Sequence, residues 1–317
     1  MALNNLVVTA PPHLRSKEQT AVAMRDVLVA LAPITVAALV AFTYNALFVI
    51  AVSVASAMAW EWIARKVRGK KSTLEDGSAV VTGLLLALLL PPQIHWFHII
   101  VATFVAIVVA KELMGGLGRN IFNPALFGFV FILFFSGVLT TFTGNLGLLA
   151  GGYDGVMGAT PLVFLKQGLE GSAAAPSYIA LFFANYGGAI SEVGSFWILL
   201  GGAYLIYRKV IGWVIPVTIL GTVFILAYIL GSDGLYMILA GGVMLGAFFM
   251  ATDWVTSPMT WQGQLIFGLL IGVLIVVIRL YGGTAGAVAF AILIGNAFVP
   301  LLDKLFKPKR FGEVAAA

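Results

Sequence analysis

Long apolar segments separated by short polar stretches form the main pattern of this sequence. Ten segments can be drawn, and most are long enough to cross a hydrocarbon core of about 30 Å as helices rising about 1.5 Å per residue. They cover residues 24–44, 46–64, 79–90, 95–112, 122–140, 194–207, 210–230, 236–252, 263–280 and 285–304. The pattern predicts an all-α polytopic membrane protein of about ten transmembrane helices.

Composition supports this prediction and excludes several other classes. The chain has 317 residues, of which 61% are hydrophobic and 10% are charged, whereas soluble domains are about 25% charged. The net charge of +5 does not indicate nucleic-acid binding, because basic residues in a membrane protein mark its cytoplasmic side. The chain contains no cysteine, so any redox cofactor that it holds should be organic rather than a Cys-ligated iron–sulfur cluster.

The basic residues also predict the orientation in the membrane. With a cytoplasmic N-terminus, only Lys166 and Arg279 of the 18 lysines and arginines fall outside, which leaves 16 on the cytoplasmic side. This asymmetry is the one expected of cytoplasmic loops. Both termini are therefore predicted to be cytoplasmic, and the long segment 141–193 is predicted to lie on the opposite side.

Five segments, a long loop and five more segments suggest two inverted five-helix repeats. The predicted units are a cytoplasmic segment 1–23, a first repeat 24–140, an extracytoplasmic loop 141–193, a second repeat 194–304 and a cytoplasmic tail 305–317. Asp76 and Asp233 open the third and eighth segments, and the third is only about 18 Å long as a helix. Short or broken helices at matching places in two halves point to a midplane site. A tilted helix extended by polar residues is the alternative.

The loop carries a small-residue stretch that ends in a hydroxyl. It runs from Asp154 through Gly158 and Ala159 to Thr160, and Pro161 follows. A phosphate ester on Thr160 would need small neighbours and a backbone that is not helical, and Pro161 disfavours helix at the residue before it. An ordinary threonine in a turn is the alternative interpretation.

A second stretch, residues 115–125, joins the fourth and fifth segments. Gly116 and Gly118 permit close approach of the backbone, and Arg119 places a cation at the cytoplasmic boundary. Asn120 and Asn123 are three residues apart, so they share a face if the helix begins here. Their amides both donate and accept, which suits the uracil-like edge of an isoalloxazine ring. A helix-packing and capping motif remains the alternative.

A third stretch, residues 250–258, places Asp253 at the end of the eighth segment among several hydroxyl side chains. Oxygen ligands of this kind suit a hard cation, so Asp253 is a cation candidate. It suits the N-cap of a helix equally well, and a structural or cofactor-supporting role is the preferred interpretation.

These stretches resemble the NqrB/RnfD family of membrane subunits. The resemblance rests on Gly-Ala-Thr-Pro at 158–161, on the run Gly-Gly-Leu-Gly-Arg-Asn-Ile-Phe-Asn-Pro at 115–124 and on Ala-Thr-Asp at 251–253. The family's flavin-transfer signature reads Asp-x-x-(Ser/Thr)-Gly-Ala-Thr, and Met157 departs from it. Trp254 stands where the family usually has proline. The short N-terminal region favours the RnfD branch over the NqrB branch.

The resemblance implies two flavins and a urea-transporter-like fold. FMN would be bound covalently through a phosphoester to Thr160, within the signature formed with Asp154, Gly158 and Ala159. A non-covalent flavin, riboflavin, would lie near the cytoplasmic side. The residues implied for it are Gly116, Gly118, Arg119, Asn120 and Asn123.

The resemblance also implies an activity, partners and a location. The chain would be a subunit of an Rnf-type complex in the bacterial inner membrane, carrying electrons between ferredoxin and NAD and coupling this to Na⁺ or H⁺ transport. Its partners would be an extracytoplasmic FMN subunit, iron–sulfur membrane subunits and a cytoplasmic NAD-site subunit, with a flavin transferase for maturation. The rival prediction is a small-solute channel or transporter of the urea type, which needs no chemistry at Thr160.

Overall fold

The computed structural model describes residues 20–135, 161–162, 176–183, 188–282 and 286–307, and within these ranges it is helical and contains no β-strand. We number the α-helices along the chain. They are α1 (Thr20–Val67), α2 (Ser78–Leu89), α3 (Trp96–Phe104), α4 (Pro124–Phe135), α5 (Tyr178–Phe183), α6 (Ser195–Tyr207), α7 (Val214–Ile229), α8 (Gly234–Leu239), α9 (Val243–Leu245), α10 (Trp261–Tyr281) and α11 (Ala287–Leu305). Two π-helices, Val105–Leu113 and Gly246–Met250, continue α3 and α9.

Helix α1 is a hairpin of two antiparallel halves. A straight helix of its 48 residues would be roughly 72 Å long, but both of its ends lie beside the start of α2. Met24 packs on Gly77, and Lys111 bonds to both Glu61 and Ser78. The reversal occurs at Thr43, whose φ of 47° and ψ of −115° are not helical. The two segments predicted for this region, 24–44 and 46–64, are these two halves.

Helix α2 is short, as the sequence predicts, and it is buried on nearly every side. The Asp76 carboxylate accepts hydrogen bonds from the Ser78 backbone N–H at 2.8 Å and from its hydroxyl at 2.5 Å, which fixes the start of the helix. Gly83 lets α1 pack closely, since a Cβ there would lie 2.9 Å from the Val54 Cα. Small residues of this kind permit close helix packing in membranes.

The eighth predicted segment, 236–252, is a broken helix. Helix α8 ends at Leu239, α9 begins at Val243, and between them Gly241 has a φ of 70°. The break leaves helix-end carbonyl groups without intrahelical partners. Arg279 from α10 donates to two of them, Met237 O at 2.5 Å and Ala240 O at 3.0 Å.

Four helical stretches of the described chain are long and apolar enough to cross a membrane: Thr20–Val67, Trp96–Leu113, Trp261–Tyr281 and Ala287–Leu305. Several shorter apolar helices accompany them. The predicted class, an all-helical polytopic membrane protein, is therefore confirmed, while the count of ten spans and the division into two inverted repeats stay predictions.

The helix bundle has two ends, a cavity end and a far end. The cavity end contains the start of α1, Ser78 and Lys111. The far end contains Leu90, whose carbonyl accepts from Ile190 N at 3.0 Å, and the break after Leu239, whose carbonyl accepts from the Ser195 hydroxyl at 3.2 Å. The orientation predicted above makes the cavity end cytoplasmic.

Candidate functional site

A cavity of about 300 Å³ opens at the cavity end, between the two halves of the chain. Its walls come from the first half at residues 20–27, 78–85, 111 and 117–125 and from the second half at 205–211 and 248–255. The walls are mainly apolar, with a few polar side chains. Cavities of this size with few polar groups are typical of small-molecule and cofactor sites.

Asn120 is the polar side chain of this cavity that lacks a full set of partners among the described residues. It is 4% exposed, and its Nδ2 donates to Phe122 O at 3.2 Å. Its Oδ1 is buried and accepts no hydrogen bond from the described residues. Buried polar atoms are nearly always hydrogen-bonded, and an exception calls for an explanation. A donor on a bound molecule supplies one.

Asn123 also lines the cavity, but its side chain is committed to the protein. Its Oδ1 accepts from Leu126 N at 3.2 Å, which caps α4, and its Nδ2 donates to Met250 O at 3.3 Å. Its backbone N–H donates to Asn296 Oδ1 at 3.2 Å, and Asn296 Nδ2 donates to Thr256 O at 2.8 Å. The capping interpretation therefore accounts for both polar atoms of Asn123, and Asn120 is the better ligand contact.

The glycines of residues 115–118 turn the chain from the first π-helix toward α4. Gly116 and Gly118 have φ values of 94° and 89°, which residues other than glycine rarely adopt. Gly118 lines the cavity, whereas Gly116 faces Arg65, whose Nη2 would lie 2.9 Å from a Cβ there. Arg119 is exposed and is not part of the cavity wall. Of the five residues implied for the second flavin, the structure brings Gly118, Asn120 and Asn123 to the cavity.

A buried ion pair, which sequence reasoning did not find, stands at the cavity wall. Lys111 is 1% exposed, and its Nζ lies 2.6 Å from Glu61 Oε2 and 2.6 Å from Ser78 Oγ. The hydroxyl of Thr73 donates to the other Glu61 oxygen. Lys111 and Ser78 line the cavity, whereas Glu61 does not. The sequence signal was weak, because Glu61 and Lys111 are 50 positions apart and a π-helix carries Lys111 off the usual periodicity.

A second charged cluster lies beside the first, away from the cavity wall. Glu112 is 1% exposed and accepts from Arg65 Nε at 2.9 Å, and Arg68 is 3.4 Å from its other oxygen. Glu61 and Glu112 both lie near the ends of predicted segments, yet helix packing encloses both carboxylates together with basic partners.

Asp253, the cation candidate, lines the cavity from the second half. Its Oδ1 accepts from Val255 N at 3.4 Å and its Oδ2 from the Thr256 hydroxyl at 3.3 Å. Burial raises the pKa of this carboxyl, and these two bonds lower it. Among the described residues no group of three or more histidine, aspartate or glutamate side chains is placed to hold a metal ion. The contacts are those of a capping side chain.

The residues predicted for covalent FMN, Asp154, Gly158, Ala159 and Thr160, lie outside the described residues. The two residues that follow them are described, and both are helical and buried. Leu162 packs into the break of the eighth segment, where its Cδ1 would lie 3.0 Å from a Cβ on Gly241.

Arg279 and Glu192 are charged groups near this break. Burial raises the pKa of Glu192 to about 7, although the positive charge of Arg279 and a hydrogen bond with the backbone of Ala189 oppose the rise. Arg279 itself is 1% exposed. The predicted extracytoplasmic loop thus contains a carboxyl that titrates near neutrality, close to the helix break against which Leu162 packs.

Comparison with known proteins adds a family match. Residues 7–312 match the NQR2, RnfD, RnfE family. Among the relatives is a subunit of the proton-translocating ferredoxin:NAD(+) oxidoreductase complex of Clostridium ljungdahlii, 42% identical, with 98% of this chain and 97% of the relative covered.

Two further relatives are similar over nearly their full lengths. A subunit of the Na(+)-translocating ferredoxin:NAD(+) oxidoreductase complex of Acetobacterium woodii is 41% identical, with 97% of this chain and 96% of the relative covered. A subunit of an ion-translocating oxidoreductase complex of Aeromonas hydrophila is 36% identical, with 96% of this chain and 98% of the relative covered.

Proposed function

This chain belongs to the NQR2, RnfD, RnfE family, and from that premise we propose that it carries electrons through the membrane part of an ion-translocating ferredoxin:NAD⁺ oxidoreductase complex by means of two flavins. Its relatives are named as subunits of such complexes, so the chain is a membrane subunit of a translocase. The proposal adds FMN bound to Thr160 on one side of the membrane and riboflavin in the cavity on the cytoplasmic side.

The buried Asn120 Oδ1, which has no partner among the described residues, is the observation that carries the proposal. A flavin supplies one-electron chemistry when bound, and its uracil-like edge offers one N–H donor between two carbonyl acceptors. Asn120 Oδ1 can accept from that N–H. Lys111 Nζ has three N–H donors, of which Glu61 and Ser78 take two, so the third is available to a carbonyl. The apolar walls would exclude water from the ring faces.

Thr160 would carry the other flavin at the far end. Its hydroxyl would form the phosphoester, two positions before the buried Leu162. Electrons would enter from a partner subunit on one side of the membrane, pass between the two flavins and leave to a partner subunit on the other side. Two relatives of nearly equal identity are named for different ions, protons and Na⁺, so the proposal is coupling to a monovalent cation of either kind.

The covalent flavin is tested on protein produced together with its flavin transferase. Denatured wild-type protein on a gel should fluoresce as a flavin, and Thr160→Val should not. The control is Thr43→Val, which removes a threonine hydroxyl from the helical hairpin of α1 instead. A dark wild-type band would contradict the proposal and favour a small-solute channel.

The cavity flavin is tested by titrating the full-length chain in nanodiscs with riboflavin. Quenching of riboflavin fluorescence monitors binding. Asn120→Leu should weaken binding by about tenfold or more, because a buried ligand donor loses its acceptor. Asn45→Leu is the matched control, since Asn45 is exposed near the reversal of α1. Equal affinity in wild type and Asn120→Leu would contradict the assignment of the cavity.

A further inference from the structure

The ion pair at the cavity wall is oriented, with its cation toward the cavity and its anion behind it. Lys111 lines the cavity and Glu61 does not, although the two charged groups are 2.6 Å apart. We propose that Lys111 makes the cavity prefer the reduced, more negative form of its occupant, and that Glu61 and Ser78 are positioning residues for its ammonium group. This inference rests on the proposed function, because it takes the occupant to be a flavin.

The side chains around the pair hold the ammonium group in place. Glu61 receives Lys111 on one oxygen and the Thr73 hydroxyl on the other. Ser78 accepts from Lys111, and its own hydroxyl donates to Asp76. Three separate elements, α1, the turn before α2 and the start of α2, therefore fix the pair. The neighbouring acid Glu112 is bound by Arg65 and Arg68 and so does not compete for Lys111.

Helix geometry supports the same inference. The π-helix at Val105–Leu113 has a wider turn than an α-helix, and such turns are frequent at functional sites. It buries two consecutive charged residues, Lys111 and Glu112, each with its own partners. A surface ion pair would need neither this turn nor the burial.

The orientation of the pair gives the expected size of the effect. A negative charge about 4 Å from the ammonium group is attracted by Lys111 and repelled by the more distant Glu61. Coulomb's law with an effective dielectric constant of about 20 leaves a net preference of roughly tenfold for the more negative occupant. A pair lying parallel to the wall would give almost none.

The test compares the affinities of oxidised and reduced riboflavin for the full-length chain in nanodiscs. The protein is made without flavin transferase, and reduced riboflavin is prepared anaerobically with dithionite. In Lys111→Met with Glu61→Gln, which removes both charges together, oxidised riboflavin should lose only the affinity that its hydrogen bond with Lys111 contributes. Reduced riboflavin should lose roughly tenfold more affinity than oxidised riboflavin does. The Lys111→Arg variant should keep the wild-type ratio.

The matched control is Arg65→Met with Glu112→Gln, which removes a buried ion pair that is not at the cavity wall. It should leave the ratio of the two affinities unchanged. An equal shift in this control, or no shift in the Lys111 and Glu61 double variant, would overturn the inference while leaving the cavity flavin intact. Failure of the wild type to bind riboflavin at all would overturn both.

If the double variant binds no riboflavin, two single variants test the inference in its place. The ratio is then measured in Lys111→Gln and Lys111→Arg, which differ in charge at the same position. A lower preference for reduced riboflavin in Lys111→Gln would uphold the inference, and equal ratios would overturn it.

Discussion

Two buried basic residues, Lys111 at the cavity end and Arg279 at the far end, occupy similar places but have different partners. Each belongs to the last turns of a long helical stretch and contacts a short helix of the preceding segment. Lys111 is held by a carboxylate and a hydroxyl. Arg279 donates to backbone carbonyl groups at a helix break, with Glu192 as a charge nearby.

The difference in partners suggests different roles: the site at Lys111 can be altered by substitution, whereas the site at Arg279 supports the fold. A side-chain acid can be replaced together with its base, so the pair at Lys111 can change without disturbing the backbone. The carbonyl groups at Arg279 belong to the backbone and cannot be removed. We therefore expect Arg279 to contribute mainly to stability and Lys111 mainly to the properties of the cavity.

The largest expected effect is loss of stability on replacement of Arg279. Arg279→Met leaves buried carbonyl groups and Glu192 without the guanidinium, which should cost about 3–5 kcal/mol. Lys111→Met with Glu61→Gln, which replaces both members of a pair, should cost about 1 kcal/mol or less. Thermal unfolding in detergent, followed by tryptophan fluorescence, compares the two. A larger loss of stability in the Lys111 and Glu61 double variant than in Arg279→Met would contradict this prediction.

An intermediate effect is expected at Gly241. Its φ of 70° is unfavourable for alanine, and the new Cβ would lie 2.7 Å from Arg279 Nη2 and 3.0 Å from Leu162 Cδ1. Gly241→Ala should therefore cost about 2–3 kcal/mol. Gly118→Ala is the matched control. The φ of Gly118 is also positive, but a Cβ added there would have no neighbouring atom within 4 Å. This control should cost about 1 kcal/mol, and equal losses in the same unfolding assay would contradict the crowding at the break.

The smallest expected effect is a pH dependence that originates at the far end. The pKa of Glu192 is about 7 in the folded protein, against an ordinary value of 4.5. The folded state therefore binds more protons between these values, so the stability that Glu192 contributes is fully present below pH 4.5 and is lost as the pH rises through about 7.

Unfolding temperatures measured from pH 5 to pH 8 check this dependence. Glu192→Gln should flatten the decline, whereas Glu75→Gln, at an exposed glutamate near the cavity end, should not. If the unfolding temperatures of both variants fall with pH as that of the wild type does, the titrating group is not Glu192.

Local sequence signals predicted much of the fold. The short apolar segment 79–90 predicted a short third helix, and α2 ends at Leu89. The same signals missed the break at Gly241, because glycine pairs are also common in unbroken membrane helices. Asn120 was predicted to be a ligand contact from its motif. Its distinction from Asn123 depended on Met250 and Asn296, which are more than 120 positions away in the sequence.

The sequence by itself determined the membrane class and the family, and it predicted the segments that are proposed to carry the chemistry. The lengths of apolar segments, the asymmetry of basic residues and short motifs are local properties, and they can be recognised without knowledge of tertiary packing. Only the tertiary structure decided which polar atoms are already committed to the protein and which charges face the cavity. Those properties depend on contacts such as Lys111 with Glu61, formed between positions 50 residues apart, where burial makes every unpaired charge costly.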